Sequence, residues 1–456
     1  MRVLALVDGE HYPRVVRAAL DRLPDQLTGA TVVAAALLGG TEKLPDAGPP
    51  DLGVPVVTGP NPDDALLAGL RDHRPDLVVD LSDEPVVDDR SRLRLAARAL
   101  VAGVGYVGAD FRFDPPPRPR LTNKPTIAVI GTGKRTGKTA VSAHLARHLA
   151  TTGTPPVVVA MGRGGPPAPE LIDPATTDLT VAGLLALADA GRHAASDHIE
   201  DALLARVATV GTRRCGGGLF GAPFDATFAA GVELARTRPE PLLVYEGSGR
   251  AIPPAHADVT VCVVPAAADP ELVCGYAGGY RVLLSDAVVI TMADEPTARS
   301  GGVVVAETPQ AARLERSIRD LAPGARIVRT VFRPAPLIPI SGRRIVFATT
   351  APEWASPALR DHLEREHGGV IIGVSHHLAN RPELRVDLEA MDDADVLLVE
   401  LKAAAIDVAA RAATERGMEV VFCDNQVVAV DKDSSFEELV IDLADLAVRR
   451  HHQAGP

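Results

Sequence analysis

The stretch GTGKRTGKT, Gly131–Thr139, decides how this chain is read. It follows the apolar run TIAVI and precedes AVSAHLARHLA, so a strand feeds a glycine loop that opens a helix. A phosphate-binding loop needs that order. Glycines let backbone N–H groups turn inward around phosphate oxygens, and the helix N-terminus adds partial positive charge. On this reading Lys138 reaches the β- and γ-phosphates of a nucleotide, and the Thr139 hydroxyl ligates Mg²⁺. Gly131, Thr132, Gly133, Lys134, Arg135, Thr136 and Gly137 form the rest of the cradle. The bland alternative is a glycine-rich turn with solvated lysines, and the flanking strand and helix argue against it. Lys134 and Arg135 are either surface charges or extra neutralisation for a highly charged transition state.

A phosphate loop needs a carboxylate to hold or orient the metal ion, and LLVYEGSGR, Leu242–Arg250, offers Glu246 at the end of an apolar strand. Two further segments carry positive charge among glycines. One is VVVAMGRGGPPAPE, with Arg163. The other begins at His193, passes through a helix capped at Ser196 or Asp197, and ends in Arg213, Arg214, Cys215 and three glycines. Arginine binds phosphate bidentately and glycine permits close backbone approach, which suits a polyanionic substrate. The competing reading of Arg213 and Arg214 is a helix C-terminus with favourable charge–dipole placement. Asp197 is a second metal ligand, a base or a cap, and Lys402 and Asn425 follow strands from which they can reach a ligand.

Outward from the loop, short β-branched runs alternate with alanine-rich helical stretches, which argues for parallel sheets covered by helices. The expected fold is α/β: a central P-loop domain with a parallel sheet, flanked by N-terminal and C-terminal α/β lobes. Proline-rich stretches near 111–124 and 333–342 set expected boundaries at residues 1–120, 121–340 and 341–456. In the first lobe Asp8, Glu10, His11, Asp80, Asp83 and Glu84 crowd acidic loops at strand ends.

Composition limits the partners. The 456 residues carry 47 Lys and Arg against 59 Asp and Glu, a net charge of −12, and only 3% aromatic residues. That argues against a nucleic-acid binder. It does not exclude anionic ligands, because a site is set by local charge. Four scattered cysteines without a CxxC pair suggest a reduced, cytoplasmic setting, and no apolar run is long enough to span a bilayer.

The common phosphate-loop pattern has glycine where Thr132 stands. The longer form here, G-T-x-x-x-x-G-K-T, resembles the loop of dethiobiotin synthetase-like enzymes, which carry a similar E-G-x-G segment. Over nearly its whole length the chain resembles the cyclic 2,3-diphosphoglycerate synthetase family. The likeness rests on VDGEHYP (Val7–Pro13), GGTEKL (Gly39–Leu44), DLSDEPVVD (Asp80–Asp88), GTGKRTGKTAVSA, AMGRGGP, HAASDHIEDAL, RRCGGG, EGSG, AIPP (Ala251–Pro254), FATTAP (Phe347–Pro352), ELKAAAIDVA (Glu400–Ala409) and CDN (Cys423–Asn425). The resemblance implies ATP-dependent closure of 2,3-bisphosphoglycerate into its cyclic intramolecular diphosphate, with Mg²⁺, K⁺ stimulation and a homodimer. Lys138, Thr139 and Glu246 then serve ATP and metal, and Lys134, Arg135, Arg163, Arg213 and Arg214 serve the substrate and the transferring group. Thr212 departs from the archaeal members, which carry a cysteine there. Two other functions compete: a small-molecule kinase acting on 2-phosphoglycerate, and a nucleotide-dependent regulatory switch.

Overall fold

The computed structural model describes residues 1–41, 49–293, 309–391, 393–431 and 435–454. Glu42–Leu44 of the GGTEKL segment lie outside these. Packing groups the chain into two compact units. The first comprises Met1–Pro117, Ala268–Leu284 and Arg316–Gly324, and the second Arg118–Ala267, Ser285–Glu315 and Ala325–Pro456.

In the first unit the strands are β1 (Arg2–Val7), β2 (Thr31–Leu37), β3 (Val56–Val57), β4 (Leu77–Asp80), β5 (Gly105–Val107) and β6 (Arg112–Phe113). They lie in the order β3-β2-β1-β4-β5-β6. All pairs are parallel except β5–β6. Helices cover such a sheet on both faces, so its central strand is apolar after Arg2, the one residue of β1 that is exposed. The acidic loops are largely engaged within the unit. Buried Asp8 accepts from the backbone N–H of Glu10, His11 and Asp83, and also contacts the His11 ring. Asp80 accepts from Ser82, from Arg92 Nε at 2.9 Å and from the Tyr106 hydroxyl at 2.7 Å. These two carboxylates hold loops closed.

The second unit contains β7 (Thr126–Gly131), β8 (Pro156–Gly162), β9 (Glu170–Ile172), β10 (Thr209–Cys215), β11 (Asp225–Ala226), β12 (Leu242–Glu246), β13 (Val259–Pro265), β14 (Ala287–Thr291), β15 (Arg326–Pro336), β16 (Arg344–Ala348), β17 (Val370–Ser375), β18 (Val396–Glu400) and β19 (Glu419–Ala429). Among the described residues they form one continuous sheet, β11-β10-β8-β12-β7-β13-β14-β15-β19-β18-β16-β17, with β9 paired to β10. The P-loop strand β7 lies between β12 and β13, with all six residues buried.

The prolines of RPAP do not interrupt the chain; they end a strand. β15 pairs with β14 through Arg329 and then, from Thr330 to Pro336, antiparallel with β19. Over the second stretch its partner among the described residues is β19 alone, and there proline's missing N–H costs no ladder bond. Through β15 and β19 the last lobe and the P-loop sheet are one sheet. No described helix is long and apolar enough to cross a membrane.

Candidate active site

The loop Thr132–Gly137 joins β7 to the helix Lys138–Thr151, and each end has a local cause. Gly137 caps the helix at φ +87°, and a Cβ there would lie 2.3 Å from the Phe332 ring, so no larger residue fits. Arg135 also takes a positive φ, +60°. Lys138 folds back over the loop: its Nζ donates to the Gly133 carbonyl at 2.9 Å and approaches Thr136 Oγ1 at 3.4 Å. Thr291 Oγ1 donates to the Thr136 carbonyl at 2.8 Å and pins the loop from the next strands. Burial lowers the Lys138 pKa, while Glu246 and Asp197 oppose that shift. Lys134 and Arg135 are exposed at the loop tip.

Glu246 ends β12 in register with Val129 of β7, so its carboxylate sits beside the loop. The helix Asp197–Ala205 packs against the P-loop helix. It carries Asp197, Glu200 and Asp201 at i, i+3 and i+4, which lie on one face. Both oxygens of Asp201 and Oε2 of Glu246 are buried without a hydrogen-bond partner among the described residues. As carboxylates both groups only accept, so neither satisfies the other; a proton held between them would. Burial, then Asp197, push the Glu246 carboxyl up to about 7, with Asp201, then Thr139 and Lys138, drawing it down. Asp201 is raised well above the carboxylate range by burial and by Glu246. Asp201 and Glu200 were not singled out from the sequence; their signal was acidic residues at helical spacing within an otherwise apolar helix.

Ser196 is the N-cap residue, but its hydroxyl bonds the His198 ring at 3.1 Å rather than the helix N–H groups. His198 is buried and its ring packs against Gly211, so it serves the fold.

Arg213 and Arg214 lie on β10, so the helix C-terminus reading does not hold. Neighbours on a strand point to opposite faces. Gly211, with the parity of Arg213, faces His198; Thr212, with that of Arg214, faces Gly231. The sheet therefore separates the two arginines. Arg214 instead meets Arg163, which follows β8. A Cβ on Gly249 would lie 2.7 Å from Arg163 Nη2 and 3.3 Å from Arg214 Nη2. Arg214 is fixed by donating to the carbonyls of Ser248 at 2.8 Å and Gly216 at 2.7 Å. Burial, then Arg163, lower its pKa.

From the last lobe, Lys402 Nζ reaches Glu200 at 3.4 Å. Asn425 Nδ2 donates to Glu400 at 3.0 Å. The P-loop helix is also tied to this lobe, by Arg147 to Asp424 at 2.5 Å.

A glycine loop over a helix N-terminus, an invading lysine and a carboxylate on the neighbouring parallel strand define a P-loop enzyme that uses ATP. Three family models match the chain: the cyclic 2,3-diphosphoglycerate synthetase N-terminal domain over residues 2–114, its P-loop domain over 126–331 and its C-terminal domain over 336–426. The chain belongs to the cyclic 2,3-diphosphoglycerate synthetase family. The synthetase of Rubrobacter xylanophilus is 46% identical, with 96% of this chain and 97% of the relative covered. That of Methanothermus fervidus is 42% identical, with 98% and 97% covered. Among solved structures, LpxK from Aquifex aeolicus in complex with ATP matches 73% of this chain and 90% of its own, at 14% identity and a TM-score of 0.41.

Proposed function

We propose that the protein closes 2,3-bisphosphoglycerate into cyclic 2,3-diphosphoglycerate with ATP, releasing ADP and phosphate. The observation that carries this beyond ATP use is the convergence of Arg163 and Arg214 over Gly249. Two guanidinium groups so near each other repel, and a polyanion is the ligand that relieves the repulsion. Arg163 also acts electrostatically on Lys138, which supports a place for it near the nucleotide loop.

Closing two phosphates of one molecule into an anhydride is uphill in water, and ATP supplies the drive. An oxygen of one substrate phosphate attacks the γ-phosphorus, and the bond to ADP breaks. An oxygen of the second substrate phosphate then attacks the phosphorus of the first, and the transferred group leaves as inorganic phosphate. Both steps bring anions together, so catalysis rests on positioning and charge neutralisation. Lys138 and the loop N–H groups orient the β- and γ-phosphates. Arg163 and Arg214 hold the substrate phosphates. Lys134, Arg135 and Arg213 add positive potential around the transferring group.

The orphaned buried oxygen of Glu246 beside the Thr139 hydroxyl suits a divalent cation. Among the described residues no three His, Cys, Asp or Glu side chains stand close enough to hold one alone. Thr139 and Glu246 would therefore hold Mg²⁺ together with phosphate and water oxygens. The ion supplies neutralisation of phosphate charge. The reading includes K⁺ stimulation, a homodimer and a cytoplasmic setting.

Phosphorus NMR of the reaction with ATP and 2,3-bisphosphoglycerate tests this. The expected product shows coupled anhydride phosphorus signals and appears with one ADP and one phosphate. A linear bisphosphoglycerate formed from 2-phosphoglycerate would overturn the reading in favour of a kinase. Nucleotide turnover indifferent to phosphoglycerates would overturn it in favour of a switch.

A further inference from the structure

We propose that Lys402, which follows the fixed end of β18, is a positioning residue for the phosphoryl-transfer site, tying the last lobe to Glu200 beside the phosphate loop; the inference rests on the reaction proposed above.

One end of this bridge is fixed. Glu400 ends β18 and is buried. It accepts from Thr349 Oγ1 at 2.8 Å, Thr350 N at 3.0 Å, Thr350 Oγ1 at 2.8 Å and Asn425 Nδ2 at 3.0 Å. Four donors, three from the turn after β16 and one from Asn425 of β19, fix the end of β18 from which Lys402 follows.

The backbone between the ends is strained. The Lys402 N–H donates to the Glu400 carbonyl at 2.8 Å, and the Ala405 N–H to the Lys402 carbonyl at 2.9 Å. Ala403 between them has φ +49°, a left-handed conformation that is unfavourable for a residue with a Cβ. Ala405–Ala410 then winds as a π-helix. Such turns are rare and recur at functional sites, and strain of this kind persists where the surroundings demand one geometry. Here that geometry carries the Lys402 ammonium across to Glu200.

The other end is the acidic face of the helix Asp197–Ala205. Glu200 shares that face with Asp197 and Asp201. Pinning Glu200 fixes the rotation of the helix, and with it the two carboxylates that act on Glu246 and Lys138. Electrostatics agree with the geometry. Burial pushes the Glu200 carboxyl up to about 8, and Lys402 is the largest influence opposing it. Glu200 and Glu400 together outweigh burial at Lys402 and raise its pKa. Removing Lys402 leaves a buried carboxyl without its partner and loosens that face of the helix from the lobe.

The test is steady-state kinetics on the full chain with ATP and 2,3-bisphosphoglycerate, following ADP and cyclic product separately. In Lys402→Met, kcat is expected to fall at least about tenfold while KM for ATP changes less than about threefold, the signature of a lost transition-state arrangement. Lys402→Arg is expected to recover most of the rate, and Glu200→Gln combined with Lys402→Met to be no slower than the slower single variant. A merely structural lysine would lower thermal stability without that kinetic split or that non-additivity. A Lys402→Met enzyme within about twofold of the parent kcat, or additive losses in the pair, would overturn the inference. If Lys402→Met does not fold, Glu200→Gln decides: a reduced kcat at parent KM for ATP supports the bridge, and the parent kcat overturns it. A parent that releases ADP without cyclic product would overturn the proposed reaction instead, and the ADP comparison would still decide Lys402.

Discussion

Arg163 and Arg214 reach the same point from two different strands: their Nη2 atoms lie 2.7 Å and 3.3 Å from where a Cβ on Gly249 would stand. Arg214 is held there by two backbone carbonyls, so the pairing is built into the turn after β12 and does not depend on an acidic neighbour. Arg214→Ala is expected to raise KM for 2,3-bisphosphoglycerate about ten- to a hundredfold, the worth of a charge-assisted hydrogen bond to phosphate. KM for ATP should change far less. Initial-rate kinetics varying each substrate in turn measure both, and equal losses would remove Arg214 from the substrate site.

Gly249 has φ +59°, and the space its side chain would need holds Arg163. Gly249→Ala should cost roughly 1 kcal/mol in stability from the left-handed backbone alone. Its larger effect should be on the substrate, as Arg163 is displaced. Thermal unfolding beside bisphosphoglycerate kinetics separates the two; a variant with parent kinetics would show that Arg163 does not need its present place.

Lys138 is the residue on which the nucleotide reading depends. Lys138→Ala is expected to lower turnover by about 10²–10³-fold or more, since it removes a preorganised charge from the transferring phosphate. Near-normal ATP-dependent activity in that variant would refute the site.

Asp258 gives a stability test away from the chemistry. It is buried below the start of β7, accepting from Thr126 N at 2.9 Å, Thr126 Oγ1 at 2.8 Å and Arg120 Nη1 at 3.0 Å, with the His256 ring 3.5 Å away. Burial alone would raise its pKa, but His256, Thr126 and Arg120 outweigh that and hold it well below the unfolded value of 3.8. A lowered carboxyl stabilises the fold above its unfolded pKa, and that contribution is lost as the pH falls toward the folded one. Asp258→Asn should therefore cost about 3 kcal/mol at pH 7, and the gap from the parent should narrow below about pH 3.8. Thermal melts between pH 7 and pH 3 check this; a gap independent of pH would refute the role of charge.

The phosphate loop was legible in the sequence because its chemistry is contiguous. Gly131–Thr139 carries its glycines, lysine and threonine in one turn, and the strand before it and the helix after it bury their own apolar faces. Glu246 was legible for a related reason, since a carboxylate at the end of an all-apolar strand meets the loop once parallel strands align. The alternation of strands and helices sufficed for the α/β class.

Convergence was not legible. Arg213 and Arg214 are adjacent in sequence, yet the pleat of β10 sends them to opposite faces. Arg214 pairs instead with Arg163, fifty-one positions earlier, because β8 and β10 are parallel neighbours. Glu200 and Lys402 are 202 positions apart, and only the sheet that continues through β15 and β19 into the last lobe brings them to 3.4 Å. Pro334 and Pro336 lie where β15 pairs, among the described residues, with β19 alone, a placement that depends on which strand stands beside them. Local sequence determines backbone propensity and the chemistry of one turn. Which distant charges share a site follows from strand order and pleat, and these are settled by long-range packing.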